Sequence, residues 1–333
     1  MQTSSNEVTK HRELDNIRFN LNKIFNLFND PSLTDIFCDC DGKVSYKMFG
    51  QDITDSNITI NTSERFLILN QIAKYMEHII DFFKYPVLEA TIPVPEWKNA
   101  RITAIFPPWL PAPSFTIRKP PEKIYALEDY IKNGQLSQSR YEIICRYVKE
   151  NKNIIIAGGT GSGKTTLTNA LLKKKCEYYP NYRYFIVQDV SELQCEAKYK
   201  EMPVIRPDQA VLAVLLSLRY TPNCIIFGET RKGSVMAEIL DAWNTGHPGG
   251  FTTIHSNSSN GTLIRIKKLL LDHYPSEASL PDLNEYIDLI IYIQKNKSTG
   301  VIINDIMEMK KQDTRQIAQI MEHYAKETAR DEE

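Results

Sequence analysis

The sequence predicts an α/β protein of two domains. An α+β domain covers residues 1–115, a linker 116–135, an α/β domain with a mostly parallel sheet 136–310, and a helical tail 311–333. Three observations predict this. From Asn153 onward, short apolar runs alternate with helical stretches, the pattern of buried parallel strands joined by helices. The first of those runs, "NIIIAG", leads into the glycine-rich loop "GGTGSGKTT" and then a helix-forming stretch. Upstream, nine of the chain's 17 prolines fall between Pro86 and Pro121, where they interrupt helices and separate two kinds of pattern. The 333 residues suit two domains at roughly 100–200 residues each.

The elements follow in order. Residues 12–30 place Leu14, Ile17, Leu21, Ile24, Phe25 and Phe28 at helical spacing. "DIFCDCDGKVSYKMFG" reads as two short strands turning at Asp41-Gly42, and "NITINT" as a third. "SERFLILNQIAKYMEHIIDFF", residues 63–83, reads as a helix with Ser63 as its N-cap. Between the prolines, "VLEATIPV", "ARITAIF" and "SFTIRK" fit strands. "SQSRYEIICRYVKEN", residues 137–151, is a helix heading the second domain. The strands after it are "NIIIAG", "YRYFIVQD", "NCIIFGE", "GFTTIH" and "LIIYIQ". The tail is helical and charged, with Ile317, Ile320, Met321 and Tyr324 as a short apolar stripe.

Composition excludes some functions. A net charge of −1 provides no broad basic field, so direct sequence-specific nucleic-acid binding is not expected. The six cysteines (Cys38, Cys40, Cys145, Cys176, Cys195 and Cys224) lack CxxC spacing and the density of a disulfide scaffold, and read as reduced thiols. The polar start lacks the apolar core of a signal peptide, and no run of 18 apolar residues occurs. The expectation is an intracellular protein, with peripheral docking to a membrane complex left open.

The glycine-rich loop carries the first chemistry. Gly158-x-x-x-x-Gly163-Lys164-Thr165 sits between a buried strand and a helix. Its glycines let backbone N–H groups turn inward, and with the helix N-terminus they form an anion nest for a triphosphate. The cradle is Gly158, Gly159, Thr160, Gly161, Ser162, Gly163, Lys164, Thr165 and Thr166. Lys164 places a point charge on the β and γ phosphates, and Thr165 offers a hydroxyl to Mg²⁺. This part of the chain is expected to bind a nucleoside triphosphate.

Two acidic positions follow. "NCIIFGETR" ends an apolar strand in Glu229, placed to hold Mg²⁺ or its waters; the alternative is a solvated strand-end acid. "FIVQDVSELQ" ends another strand in Gln188-Asp189, with Glu192 three further on. One of these carboxylates orients or activates water, or Asp189 and Glu192 form a helix cap. "NTGHPGGFTTIHSNSSNG" adds His247 and His255. Eight residues apart, without the i, i+4 spacing of a helical pair and without a nearby cysteine, they do not suggest zinc. A surface role remains the alternative for each.

Taken in order, "GGTGSGKTT", "VQDVSELQC", "SLRYTPNCIIFGETR" and "WNTGHPGGFTTIHSNSS" resemble the signature boxes of the traffic ATPases of bacterial type IV secretion, type II secretion and type IV pili. "SELQC" and "TGHPGGFTTIH" look closest to the conjugal-transfer branch of the Trb type. The clear match spans about residues 97–295, and the first hundred residues match loosely. The resemblance implies a RecA-like P-loop NTPase domain preceded by a sensor-like α+β domain, nucleotide between the two, and a ring of six subunits. It implies that His255 senses the γ-phosphate, that the box glycines bring the loop to the nucleotide, and that Thr252 and Thr253 add hydroxyl donors. It also implies that Arg101 and Arg118 reach the nucleotide from the N-terminal domain, surface salt bridges being the alternative. Arg219 and Arg231 match arginines flanking the family's second acidic strand.

The chain departs from the family where Gln188 stands in place of the usual Glu, and where Tyr220 and Asn223 replace Arg and Asp. Glutamine orients water but takes no proton. The expectation is an ATPase that uses ATP and Mg²⁺, with Lys164, Glu192, Glu229, His255, Arg118 and Arg101 in catalysis and Thr165 and Glu229 at the metal. The resemblance further implies a hexameric motor at the cytoplasmic side of a type IV secretion or conjugation machine, bound to inner-membrane proteins and peripheral to the membrane. The alternatives are a hydrolysis-impaired scaffold and a pilus or type II secretion motor.

Overall fold

A computed structural model describes residues 2–48, 51–98, 100–120, 124–276 and 279–309. The apolar stripe expected in the tail lies outside these residues. The chain divides into two compact units, Met1–Lys123 and Ile124–Glu333. The stretch 116–135 is shared between them: its first residues complete a strand of the first unit's sheet, and Leu127 and Tyr130 are buried in a core of the second.

The first unit is a six-stranded antiparallel sheet in the order β3-β2-β1-β6-β5-β4, with two helices. Helix α1 (Gln2–Phe28) buries Ile17, Leu21, Ile24 and Phe28, which are among the residues read at helical spacing from the sequence. Strands β1 (Leu33–Cys38) and β2 (Lys43–Met48) pair around a turn in which Gly42 adopts φ 92°. Strand β3 (Ile53–Thr59) pairs with β2. Helix α2 (Thr62–Tyr75) is shorter than the residues 63–83 expected, and its cap is Asn61, which forms a reciprocal capping box with Glu64. It stops because Glu77 turns left-handed and the N–H groups of Glu77 and His78 close back on the carbonyls of Lys74 and Ala73. Strands β4 (Val87–Thr91), β5 (Arg101–Ile105) and β6 (Ser114–Arg118) fall where the proline-rich stretch predicted them. In β5 and β6 every second residue is buried, as in a sheet with one face on a core.

The second unit is a seven-stranded sheet in the order β13-β12-β7-β11-β10-β8-β9. Strands β7 (Ile154–Gly158), β8 (Arg183–Val187), β9 (Tyr199–Glu201), β10 (Cys224–Phe227), β11 (Phe251–His255) and β12 (Leu289–Asn296) run parallel. Strand β13 (Gly300–Glu308) returns antiparallel along one edge. It was not among the strands read from the sequence, although its turn residues Ser298, Thr299 and Gly300 and its buried Val301 and Ile303 carry the signal. Every residue of β7 and β10 is buried, since helices cover both faces. One face packs on α4 (Gln138–Lys149) and α5 (Lys164–Tyr178). The other packs on α6 (Ala210–Arg219), α7 (Gly233–Asn244) and α8 (Ser259–Leu271). Short helices α3 (Leu127–Lys132) and α9 (Leu283–Tyr286) complete the unit. Among the described residues, no helix is long and apolar enough to cross a membrane.

Candidate functional site

The carboxyl ends of the parallel strands bring four sequence segments together. Strand β7 runs into the loop 159–163 and then α5, and Gly163 at the helix N-cap has φ 92°, a conformation side-chain-bearing residues rarely adopt. The register sets His255, last residue of β11, opposite Gly158, last residue of β7. Val187 of β8 lies opposite Phe227 of β10, so Asp189 and Glu229 each emerge two residues beyond that pair. In open α/β sheets this edge is where ligands bind.

The side chains form one connected chain of charges. Lys164 Nζ donates to the carbonyls of Gly158 at 3.1 Å and Gly159 at 2.9 Å, and lies 3.4 Å from His255 Nδ1. His255 Nε2 lies 2.8 Å from Glu229 Oε1. Arg231 sets one guanidinium nitrogen 2.7 Å from Glu229 Oε2 and another 3.0 Å from Asp189 Oδ2. A neutral imidazole protonated on Nε2 accepts from Lys164 at Nδ1 and sets its N–H beside Glu229 Oε1, which is buried without an aligned hydrogen bond.

Burial lowers the pKa of Lys164, only partly opposed by Glu229. Burial and the Lys164 charge lower that of His255, against the pull of Glu229. Burial works against the charge of Glu229, but Arg231, His255 and Lys164 together hold its carboxyl below the ordinary range. A buried ammonium beside a helix N-terminus suits a phosphate, and Ser162 Oγ is buried there without a hydrogen-bond partner. Thr165 and Glu229 offer hard oxygen donors of the kind Mg²⁺ prefers. These residues therefore fit a magnesium nucleotide.

Other expected residues sit elsewhere. Asp189 does not cap a helix; it begins an irregular stretch leading to β9 and turns its carboxylate to Arg231. Gln188 is buried, and its Oε1 accepts from the N–H groups of Glu192 at 3.1 Å and Leu193 at 3.0 Å, so its side chain shapes the turn. Asn169 on α5 holds the same turn, donating to the Glu192 carbonyl and accepting from Gln194 N–H. Thr252 and Thr253 do not offer free hydroxyls: one bonds Thr230 Oγ1 at 2.8 Å and the other the Gly228 carbonyl at 2.8 Å, stitching β10 to β11.

The two histidines occupy opposite ends of β11, so one ion cannot bind both. His247 Nδ1 lies 2.8 Å from the Pro222 carbonyl, ahead of β10. Gly249 and Gly250 serve packing there, since a Cβ on Gly249 would lie 2.1 Å from Asn151 Oδ1 and one on Gly250 1.9 Å from Trp243 Nε1, while Gly246 has open space around it and a φ of 106°. Arg219 ends α6. Arg101 and Arg118 belong to the first unit, where they are cross-strand neighbours on β5 and β6. Arg118 Nε lies 3.0 Å from Asp35 Oδ1, and Arg101 Nη2 3.5 Å from Glu89 Oε1.

Sequence reasoning missed the bridging role of Arg231. A flanking arginine was visible, but its second partner, Asp189, comes from another strand.

Comparison with known proteins identifies the family. The family described as Type II/IV secretion system protein matches residues 91–328. The chain is 31% identical over 290 residues to a probable conjugal transfer protein TrbB of Sinorhizobium fredii, covering 85% of each. It is 30% identical over 271 residues to the conjugal transfer protein TrbB of Rhizobium radiobacter, covering 80% of this chain and 81% of the relative. Among solved structures, the ATPase DotB of Legionella pneumophila superposes with a TM-score of 0.64 at 18% identity, over 86% of this chain and 80% of that one. The pilus retraction motor PilT, solved with bound ADP, gives 0.65 at 17% identity, over 91% and 88%. The fold is that of a RecA-like P-loop domain with a separate N-terminal domain. The chain belongs to the type II/IV secretion system protein family.

Proposed function

We propose, on the premise of that membership, that the chain is an ATPase that drives a type IV secretion or conjugation machine from its cytoplasmic side. One observation carries the reading: a P-loop lysine, a strand-end carboxylate and a histidine share one crevice, linked Lys164–His255–Glu229. ATP is the substrate. Main-chain N–H groups of Gly159–Lys164 bind its phosphates, and Lys164 leaves the loop carbonyls to meet the β and γ oxygens. Thr165 and Glu229 would hold Mg²⁺, which would supply positive charge to the phosphate oxygens. Glu192 takes the proton of the water that attacks the γ-phosphorus, as the bond to the β-phosphate oxygen breaks. His255 donates a hydrogen bond to the γ-phosphoryl group. Arg118 and Arg101 supply positive charge from the first unit.

Hydrolysis drives a conformational change within a ring of six copies. The ring sits at the inner face of the cytoplasmic membrane and passes that motion to inner-membrane proteins that assemble the machine or move DNA and protein. Relatives named for conjugal transfer favour this over a pilus or type II secretion motor.

Gln188 supports an active enzyme. Its amide oxygen is engaged by two backbone N–H groups, so turnover does not rest on it as a base. Gln188→Glu is expected to change turnover less than about twofold. A rise of about tenfold, or 1.4 kcal/mol of barrier, favours a hydrolysis-impaired scaffold instead. The direct test is phosphate release from ATP by the purified chain, compared with Lys164→Ala; equal rates end the ATPase reading.

A further inference from the structure

Two cysteines outside the crevice lie against each other. Cys176 is near the C-terminal end of α5, the helix that begins with Lys164, and Cys195 lies on the irregular stretch that follows Asp189 and Glu192. Their sulfurs are 3.8 Å apart, within reach of a sulfur hydrogen bond. Cys195 is buried, and Cys176 is partly exposed. Lys200 crosses the same stretch, its ammonium bonded to the Cys195 carbonyl. The surroundings separate the two thiols. The hydrogen bond from Cys176 lowers the pKa of Cys195 against the effect of burial, and the same bond raises that of Cys176. One sulfur is thereby favoured as thiolate and the other kept as thiol, the division that intramolecular disulfide formation uses.

We propose that Cys176 and Cys195 form a reversible disulfide, made by a hydroperoxide, that fixes residues 188–198 to α5. The thiolate of Cys195 attacks the terminal peroxide oxygen and breaks the O–O bond, yielding a sulfenic acid and an alkoxide that takes a proton from water, or hydroxide where the oxidant is hydrogen peroxide. The Cys176 sulfur then attacks the Cys195 sulfur, the S–S bond forms, and the sulfenic oxygen leaves as water with the Cys176 proton. Two thiols and one hydroperoxide become one disulfide, one water and one alcohol, or two waters from hydrogen peroxide. Bond formation draws the sulfurs to about 2.05 Å. Cys176 is held in a helix, so the irregular stretch bearing Cys195 makes the movement. Asn169 of α5 already grips the Glu192 carbonyl and Gln194 N–H. A covalent link at the next residue makes that grip permanent, and Asp189 and Glu192 lose freedom relative to the P-loop.

The effect on turnover rests on the ATPase reading; the thiol chemistry does not. The test treats the full chain with hydrogen peroxide, blocks remaining thiols with N-ethylmaleimide, and digests without reductant. Mass spectrometry is expected to find a Cys176–Cys195 linked peptide pair that dithiothreitol abolishes and that C176S and C195S lack. Both cysteines alkylated after oxidation, or peptides joined through other cysteines, overturn the proposal. Hydrogen exchange across 188–198 is expected to slow in the oxidised wild type and not in oxidised C176S; unchanged exchange removes the fixing role. ATP turnover is expected to fall about fivefold on oxidation, because loop motions gate many such enzymes, and to recover on reduction. Reduced protein without ATPase activity refutes the ATPase reading and leaves the peptide and exchange results to judge the disulfide.

Discussion

The two ends of the second unit's sheet carry polar side chains in different states. At the carboxyl end, Lys164, His255, Glu229, Arg231 and Asp189 are paired largely with one another, so a ligand can redistribute their contacts. At the opposite end most of the polar side chains are bound to backbone, whereas at the carboxyl end Lys164 also donates to loop carbonyls. Asn153 accepts from Gly249 N–H at 2.7 Å, donates to the Tyr286 carbonyl at 2.8 Å, and its own N–H meets Asp288. His247 holds a backbone carbonyl, and Lys175 is the exception, buried against the Asn151 side chain with Nζ 2.6 Å from Oδ1. Side chains bonded to each other can exchange partners during a reaction; side chains bonded to backbone keep loops in place.

The largest break in that contrast is expected from Glu229→Gln. ATP turnover should fall about 100-fold, near 2.7 kcal/mol of barrier, with a melting temperature within about 2 °C of wild type. Equal losses in both would place Glu229 with the structural residues. The histidines give the cleanest pairing. His255→Ala is expected to cut turnover about tenfold or more, whereas His247→Ala leaves it unchanged and loses about 1 kcal/mol of stability in urea unfolding. Reversal of those two outcomes would invert the assignment of the sheet ends.

Asn153→Ala leaves a buried N–H and a buried carbonyl without partners. It should cost about 2 kcal/mol, or roughly 4–8 °C in melting temperature, while initial ATPase rates at 25 °C stay as they were. The smallest effect concerns the charge cluster that joins α3 to α5. Burial alone would raise the Glu128 carboxyl, but hydrogen bonds from Lys174 and Tyr141 outweigh it and set the pKa at about 2, against 4.5 unfolded. A depressed carboxyl stabilises above its unfolded value and loses that contribution as pH falls towards the folded one. Glu128→Gln should therefore flatten stability between pH 4.5 and about 2. Because the group is substantially exposed, the change is less than about 1 kcal/mol, measurable by urea titration at each pH.

What was legible in the sequence followed from locality. Lys164 and the glycines of its loop are neighbours in the chain, and the buried runs before Gly158 and Glu229 mark strands by composition alone. The pairing across strands was not legible. By residue type His247 and His255 look equivalent within one motif; the resemblance singled out His255, and the register of β11 against β7 is what sets it beside the phosphate loop. The hydroxyls of Thr252 and Thr253 read as donors for a ligand because nothing in the sequence says that Thr230 and Gly228 claim them. Gln188 looked like a damaged base, and its role as a turn support depends on the path of the residues after it. Arg231 and the Cys176–Cys195 contact are likewise products of tertiary placement.

The brevity of β9 has its own consequence. Tyr199–Glu201 is three residues long, and all three are exposed at the sheet's margin. Lys200 and Glu201 put charge where another chain would have to lay its backbone. So short and charged a margin gives a stray strand little ladder to continue, and it guards against indiscriminate clumping at high concentration.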